Sequence, residues 1–355
     1  MFFNFLFFIF IFIIFFGEFL YPKIIYLLPK KPAKKLEEMP DITILIPAYN
    51  EEKNIADKIK NTFALNYPSD KREIVVIDNA SSDKTYEIAS QFPITLLKSE
   101  KGKINALNKG LKHAKTAVIV ITDADIRLSP ESVKNAISHL NGSVGAVSGY
   151  IIAKSDGTEL MKEKEKYKKR DWELRYQESL VDSVCNLDGK FLVFNKSVFS
   201  NFSEDAIVDD YFMTFKIREK GYRLLVEKSA EAYEKLEGGT KEEFRQFRRY
   251  ALSSLIINFK NIKFLFNPRY GYFGLLTFPF RRFFPVLYPL FLLYIGIFLL
   301  FFNFWLMAIL FFLVIISLWF YKRLILVQLL AVLGSYVSFF TERDLIFGRW
   351  TTIRK

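Results

Sequence analysis

Thiols and imidazoles are scarce in this chain, with one cysteine and two histidines in 355 residues. A lone Cys185 excludes an intramolecular disulfide and any metal centre built on several thiolates. His113 and His139 are too few for a histidine-rich zinc site and argue against a Ser-His-Asp triad. No G-x-G-x-x-G follows a strand-like run, which removes a dehydrogenase of Rossmann type. Internal repeats are absent, and low-complexity sequence is confined to apolar runs. The first of these runs has no basic start and is followed by Gly17-Glu18-Phe19-Leu20-Tyr21-Pro22, which lacks the A-x-A pattern of a cleaved signal peptide. It reads as an uncleaved anchor.

Phe, Ile and Leu dominate residues 2–16 and the stretch 284–340, whereas 41–260 has ordinary globular composition. Runs of that length match transmembrane helices. Breaks at Asn303-Phe304-Trp305 and Tyr321-Lys322-Arg323 divide the second stretch into spans near 284–302, 304–320 and 324–341. The expected organisation is an anchor at 1–28, a catalytic domain at 29–260, an interfacial segment at 261–283, membrane helices at 284–341 and a basic tail at 342–355. Lys23, Lys30, Lys31, Lys34 and Lys35 follow the anchor, so the positive-inside rule places the domain in the cytoplasm of a multi-pass cell-membrane protein. Three C-terminal spans leave the charged tail on the other side, which points to one of them lying in the interface. The net charge of +12 is accounted for by these flanks and by Arg281-Arg282 meeting anionic headgroups of membrane lipids. No nucleic-acid partner is implied.

Between the apolar ends, strand-like and helix-like pieces alternate, the pattern of an α/β fold. Strands are expected at 41–46, ended by Pro47, and at 73–77, 94–98 and 117–122, with helices opening at Asn50-Glu51-Glu52, at about 103 and at Ser129-Pro130. Polar clusters follow the strands, so they should converge at one sheet edge, where such folds bind ligands. One of these clusters is Asp123-Ala124-Asp125, directly after Ala117-Val118-Ile119-Val120-Ile121. Carboxylate oxygens in that place suit a divalent cation holding the diphosphate of an activated donor. Asp123 and Asp125 could otherwise serve only to cap the following loop.

Six segments in this order carry a family resemblance: Pro47-Ala48-Tyr49-Asn50-Glu51, Asp78-Asn79-Ala80-Ser81, Lys101 to Asn108, Thr122-Asp123-Ala124-Asp125, Val208-Asp209-Asp210 and Gln246-Phe247-Arg248-Arg249-Tyr250. Together they resemble family 2, GT-A fold glycosyltransferases of the membrane-integrated type, such as cellulose, hyaluronan and chitooligosaccharide synthases. Thirty-five residues separate Asp210 from Gln246, as in the processive members. The resemblance implies a mixed central sheet, a nucleotide-sugar donor of the UDP-linked kind, and Mg2+ or Mn2+ held by Asp125 with Asp123 assisting. Asp78 then lies on the uracil side, with Pro47, Tyr49 and Glu51 completing the nucleoside pocket, and Lys103 supplies a donor contact. Asp210 is the base, its proton affinity raised by the neighbouring Asp209. Gln246 and Arg249 reach the diphosphate from one helix face, beside Arg248 and an aromatic platform at Tyr250, where the family usually has Trp.

Each motif also has a plainer reading. Asp78 can form an Asx turn, Glu51 can serve a helix dipole, Lys101 and Lys103 suit a solvated helix, the Asp209-Asp210 pair suits a helix start, and Arg245, Arg248 and Arg249 suit lipid headgroups. Asp188-Gly189-Lys190 matches the acceptor-side segment of the family loosely, and Cys185 reads as a small buried residue. The acceptor is a growing saccharide in a processive synthase or a lipid-linked one such as polyprenyl phosphate in a single transfer. Four helices form a polymer conduit only as a homo-oligomer. An inactive GT-A scaffold serving as a channel or partner subunit is the reading from another class, and the intact acids argue against it.

Overall fold

In the computed structural model, the described residues are 2–36, 39–203, 206–302 and 331–336. They divide into two compact units. One comprises 29–154 and 168–236, and the other holds 2–28, 155–167 and the described residues after 236. The expected spans at 304–320 and most of 324–341, and the basic tail, lie outside the described residues.

The first of these units is built on an eight-stranded sheet: β1 (Ile42–Ala48), β2 (Arg72–Asp78), β3 (Thr95–Lys98), β4 (Val118–Thr122), β5 (Arg127–Leu128), β6 (Val144–Ser155), β7 (Phe191–Asn195) and β8 (Arg223–Leu236). Their order is β3-β2-β1-β4-β7-β6-β8-β5. β1, β2, β3 and β4 pair in parallel, while β7 runs antiparallel to both β4 and β6. The sheet is therefore mixed, as the resemblance implied. Every residue of β1 and β4 is buried, the pattern of parallel strands covered on both faces, and so both read in sequence as unbroken apolar runs. Pro47 lies within β1 rather than ending it, beyond the last β1–β4 pair, Leu45 with Ile121. There the strand has one partner instead of two, and proline is tolerated.

Helices close the sheet through apolar stripes. Helix Lys103–His113 buries Ala106, Leu107, Gly110 and Leu111. A Cβ added at Gly110 would stand 3.0 Å from Leu45 and 3.1 Å from Ile77, so the missing side chain is what lets this helix lie against β1 and β2. The next helix after β1 spans Ile55–Phe63, not the turn at Asn50. Asn50 has φ 54° and is tied to the loop after β2, its backbone N–H donating to Ser81 Oγ (3.0 Å) and its Oδ1 accepting from the Ser82 N–H (2.8 Å).

The other unit contains two helices long and apolar enough to cross a membrane, Phe2–Leu27 and Phe273–Phe301. Aromatic rings join them: Phe10 stacks on Phe291 with centroids 4.3 Å apart, and Phe7 on Phe298 at 4.6 Å. Tyr294 donates its hydroxyl to the Phe3 carbonyl at 3.0 Å. Outward-facing Phe2, Phe8 and Phe301 are exposed, a surface suited to hydrocarbon. Helix Thr240–Lys260 belongs to this unit. Short 3-10 and π turns between 262 and 287 follow it.

Candidate active site

The parallel strands β3, β2, β1 and β4 end at one edge, and their exit loops carry most of the acidic side chains singled out in the sequence. Asp78 closes β2 opposite Ala48 of β1, and β4 leads through Thr122 into Asp123 and Asp125. Since β1 separates them, the Asp78 and Asp123 backbones are about two strand spacings, roughly 10 Å, apart. That is the reach of a nucleoside joined to a diphosphate.

Asp78 is 5% exposed and its Oδ1 has no hydrogen-bond partner among the described residues, a buried acceptor left open at the sheet edge. The loop beside it is fixed by Asn79, whose Oδ1 accepts from the Gly102 N–H at 2.6 Å. Ala80, with φ 57°, and Asn50 adopt left-handed backbone without being glycine, and such strain concentrates where a loop is held for a ligand. Tyr49 follows β1 and carries Lys101 Nζ over its ring at 5.4 Å. Glu51 receives the amide of Asn54 at 2.7 Å. Burial raises the Glu51 carboxyl, and the fields of Asp125, Asp123 and Asp83 add to the rise. The first loop and the D-x-D loop therefore face one another.

Lys103 ties a third element to this edge. Its Nζ lies 2.8 Å from Asp123 Oδ1 and 3.1 Å from Asp209 Oδ2, bridging the loop after β4 to the start of helix Asp209–Glu219. Burial alone would lower this ammonium, but Asp123 and Asp209 outweigh it and hold it above the ordinary lysine range. Gly189 makes room for the bridge, because a Cβ there would stand 2.8 Å from Asp209 Oδ2. Sequence reasoning assigned Lys103 to the donor and Asp209 to repulsion of Asp210. In the structure Asp209 has a counter-ion, which offsets that repulsion. Asp210 sits in the first turn of the same helix and its Oδ1 accepts from the Tyr211 N–H at 2.7 Å.

Lys58 was not singled out in the sequence. It lies 3% exposed on the inner face of helix Ile55–Phe63, with Nζ 2.7 Å from Thr122 Oγ1 and 2.6 Å from the Ile126 carbonyl. Burial lowers its ammonium to about 7, against the pull of Asp123 and Asp125. A lysine at the inward position of the stripe Ile55, Lys58, Ile59, Thr62 was the available signal.

Among the described residues no three acidic, histidine or cysteine side chains stand close enough to cage a metal. Magnesium-like centres at diphosphates need only one or two protein carboxylates, the phosphates and waters completing the shell. Asp123, half-buried, and Asp125, exposed on the same loop, fit that requirement.

Gln246, Arg248, Arg249 and Tyr250 lie on helix Thr240–Lys260 of the other unit. Gln246 Oε1 accepts from Lys164 Nζ at 3.2 Å and its Nε2 donates to Tyr250 Oη at 3.2 Å, while Arg249 lies over the Tyr250 ring at 5.4 Å. Lys164 also pairs with the buried Glu243. Gln246, Arg249 and Tyr250 thus form one connected group.

Residues 43–202 match the model of the glycosyl transferase family 2. The chain is 30% identical over 217 residues to a poly-beta-1,6-N-acetyl-D-glucosamine synthase of Staphylococcus aureus, covering 58% of this chain and 52% of that protein. The same enzyme of Staphylococcus epidermidis is 27% identical over 224 residues, covering 58% and 54%. The chain thus spans about half the length of the curated relatives it matches. Among solved structures, a mannosyltransferase of Pyrobaculum calidifontis in complex with GDP-Man and Mn2+ superposes with a TM-score of 0.75 at 23% identity, over 96% of this chain and 99% of that one. The fold is therefore GT-A, and residues 43–202 form a family 2 glycosyl transferase domain.

Proposed function

We propose that the family 2 glycosyl transferase domain of this chain moves a sugar from a nucleotide-diphosphate donor, UDP-linked in the first instance, to a saccharide acceptor at a membrane, building a β-linked polysaccharide. The observation that carries this reading is that the loops bearing Asp78 and Asp123-Ala124-Asp125 leave one sheet edge, with Asp209, at the start of the helix that carries Asp210, tied to Asp123 through Lys103 and the Asp78 Oδ1 acceptor open. Its relatives by sequence are named as polysaccharide synthases and its structural relative was solved with a nucleotide sugar and Mn2+, which supports both donor class and metal.

Asp78 receives a hydrogen bond from the base, Tyr49 packs on the nucleoside beside Pro47, and Glu51 accepts from the ribose. Asp125 and Asp123 hold Mg2+ or Mn2+, which when bound stabilises the charge of the departing diphosphate. Lys103, between Asp123 and Asp209, keeps those carboxylates from repelling one another and fixes the start of the helix that presents Asp210. Asp210 takes the proton of the acceptor hydroxyl as that oxygen attacks the anomeric carbon from the face opposite the nucleotide, so an α-linked donor gives a β-linked product. Gln246, Arg248, Arg249 and Tyr250 are assigned to the donor and acceptor sugars on their motif alone. The lysines after the first apolar helix support a cytoplasmic domain by the positive-inside rule, on the side where nucleotide sugars are made.

A second reading, a single transfer to a lipid-linked acceptor, draws on helix Thr240–Lys260 sharing a compact unit with both membrane-length helices. The two are separated by a panel of sugar nucleotides with Mn2+, with EDTA controls and mass analysis of the products. A ladder of products establishes polymer synthesis, one sugar on a lipid establishes single transfer, and no transfer from any donor refutes both.

A further inference from the structure

Lys58 contradicts the usual economy of a protein interior. It is an enclosed amine whose two hydrogen bonds among the described residues, to the Thr122 hydroxyl and the Ile126 carbonyl, are both to neutral groups. A buried lysine without a carboxylate in contact is destabilising, and an apolar side chain of the same length would fill the space at lower cost. The two groups it binds are not arbitrary. Thr122 is the last residue of β4 and Ile126 stands immediately beyond Asp123-Ala124-Asp125, so one ammonium joins the two ends of the five-residue loop that carries both carboxylates. The loop has only modest backbone restraint of its own, from the Asp123 N–H to the Lys190 carbonyl at 3.2 Å and from the Ile126 N–H to the Asp123 carbonyl at 3.3 Å. Helix Ile55–Phe63, which carries Lys58, is anchored on the core by Ile55 and Ile59, both 0% exposed. The lysine therefore transmits the position of a rigid helix to a loop that must present two carboxylates at a set separation.

We infer that Lys58 is a positioning residue for the metal-binding loop: it staples Thr122 to Ile126 and thereby presets Asp123 and Asp125 for a divalent cation completed by the donor diphosphate. The metal part of this inference rests on the transferase reading, whereas the staple itself does not. Residues that orient metal ligands from behind change metal affinity by about 10–100-fold when removed.

The test uses the full-length chain in detergent, with Mn2+ titrated in the presence of UDP and, separately, GDP. Lys58→Met keeps the length and removes the donors. We expect it to weaken Mn2+ binding about 10–100-fold and to raise the donor KM, while kcat at saturating Mn2+ stays within about threefold. Thr122→Val should shift Mn2+ affinity the same way by less, and the double variant should be no worse than Lys58→Met alone, the non-additivity of a shared contact. The thermal midpoint of Lys58→Met should not fall, since the cost of burying an amine, charged or held neutral, has gone, and this separates positioning from simple scaffolding. Independently of metal, hydrogen exchange at the amides of 123–126 should accelerate in Lys58→Met. Unchanged exchange together with wild-type Mn2+ affinity in the folded variant overturns the inference. If Lys58→Met does not fold, a folded Thr122→Val with wild-type affinity and exchange overturns it equally. Wild-type protein that binds no Mn2+ with either nucleotide overturns the transferase reading instead, and the exchange measurement then decides the staple alone.

Discussion

At the scale of single residues, the site combines open acceptors with paired charges. Asp210 is assigned as the base, so Asp210→Asn should keep nucleotide binding by calorimetry while transfer falls about 10²–10⁴-fold. Turnover at the wild-type rate would remove Asp210 from the mechanism. Gly189 has a role that only its lack of a side chain can fill. Gly189→Ala places a methyl 2.8 Å from Asp209 Oδ2 and should push that carboxylate off Lys103. Transfer is expected to drop by up to about 10²-fold, as for a misplacement near 1 Å, and wild-type kinetics would show that the bridge is dispensable. Lys58 also predicts a pH dependence of stability. Its ammonium titrates at about 7 in the folded chain against 10.5 ordinarily, so between these values the unfolded chain binds a proton that the folded chain does not. Stability therefore rises as pH is raised through that window, from the protonated, penalised state to the neutral one. Chemical denaturation at pH 7 and pH 10 should show this increment in the wild type and its loss in Lys58→Met.

At the scale of elements, helix Lys103–His113 is held to β1 and β2 through Gly110, and it carries Lys103 at its first turn. Gly110→Ala would overpack against Leu45 and Ile77 and cost about 1–3 kcal/mol, measurable as a lowered denaturation midpoint with activity falling in parallel. Strands were the most legible part of the sequence. β1, β2, β3 and β4 lie within two residues of their expected positions, and the clearest are β1 and β4, which are buried on both faces and must therefore be continuous apolar runs. The helix expected at Asn50 starts instead at Ile55, since Asn50 is bound to Ser81 and Ser82, partners more than thirty residues away that no local signal reveals. The same limit explains the lysines. Lys103 looks like a solvated helix residue until Asp209, over a hundred residues later, is seen against it. Lys58 could have been noticed as a charge on an apolar stripe, but its partners could not.

At the scale of the whole molecule, a GT-A domain is joined in one chain to two apolar helices of membrane length. The protein is expected to sediment with membranes and to resist extraction by alkaline carbonate, with detergent needed for release; recovery in the soluble fraction would contradict the anchoring. The order of the six motifs was legible because the first five each close a strand or open a helix, whereas Gln246–Tyr250 lies inside helix Thr240–Lys260. The nearness of the loops carrying Asp78 and Asp123-Ala124-Asp125 needed the fold, since it depends on the parallel pairing of β2, β1 and β4, segments distant in sequence. The central claim is that acids from these separate loops form one metal-assisted donor site. It is tested most directly by measuring nucleoside diphosphate release from UDP-N-acetylglucosamine and GDP-mannose by purified protein with Mn2+, beside EDTA and Asp125→Ala. Release from one of these donors, abolished by both treatments, is the predicted result; release that survives EDTA and the substitution unchanged would contradict it.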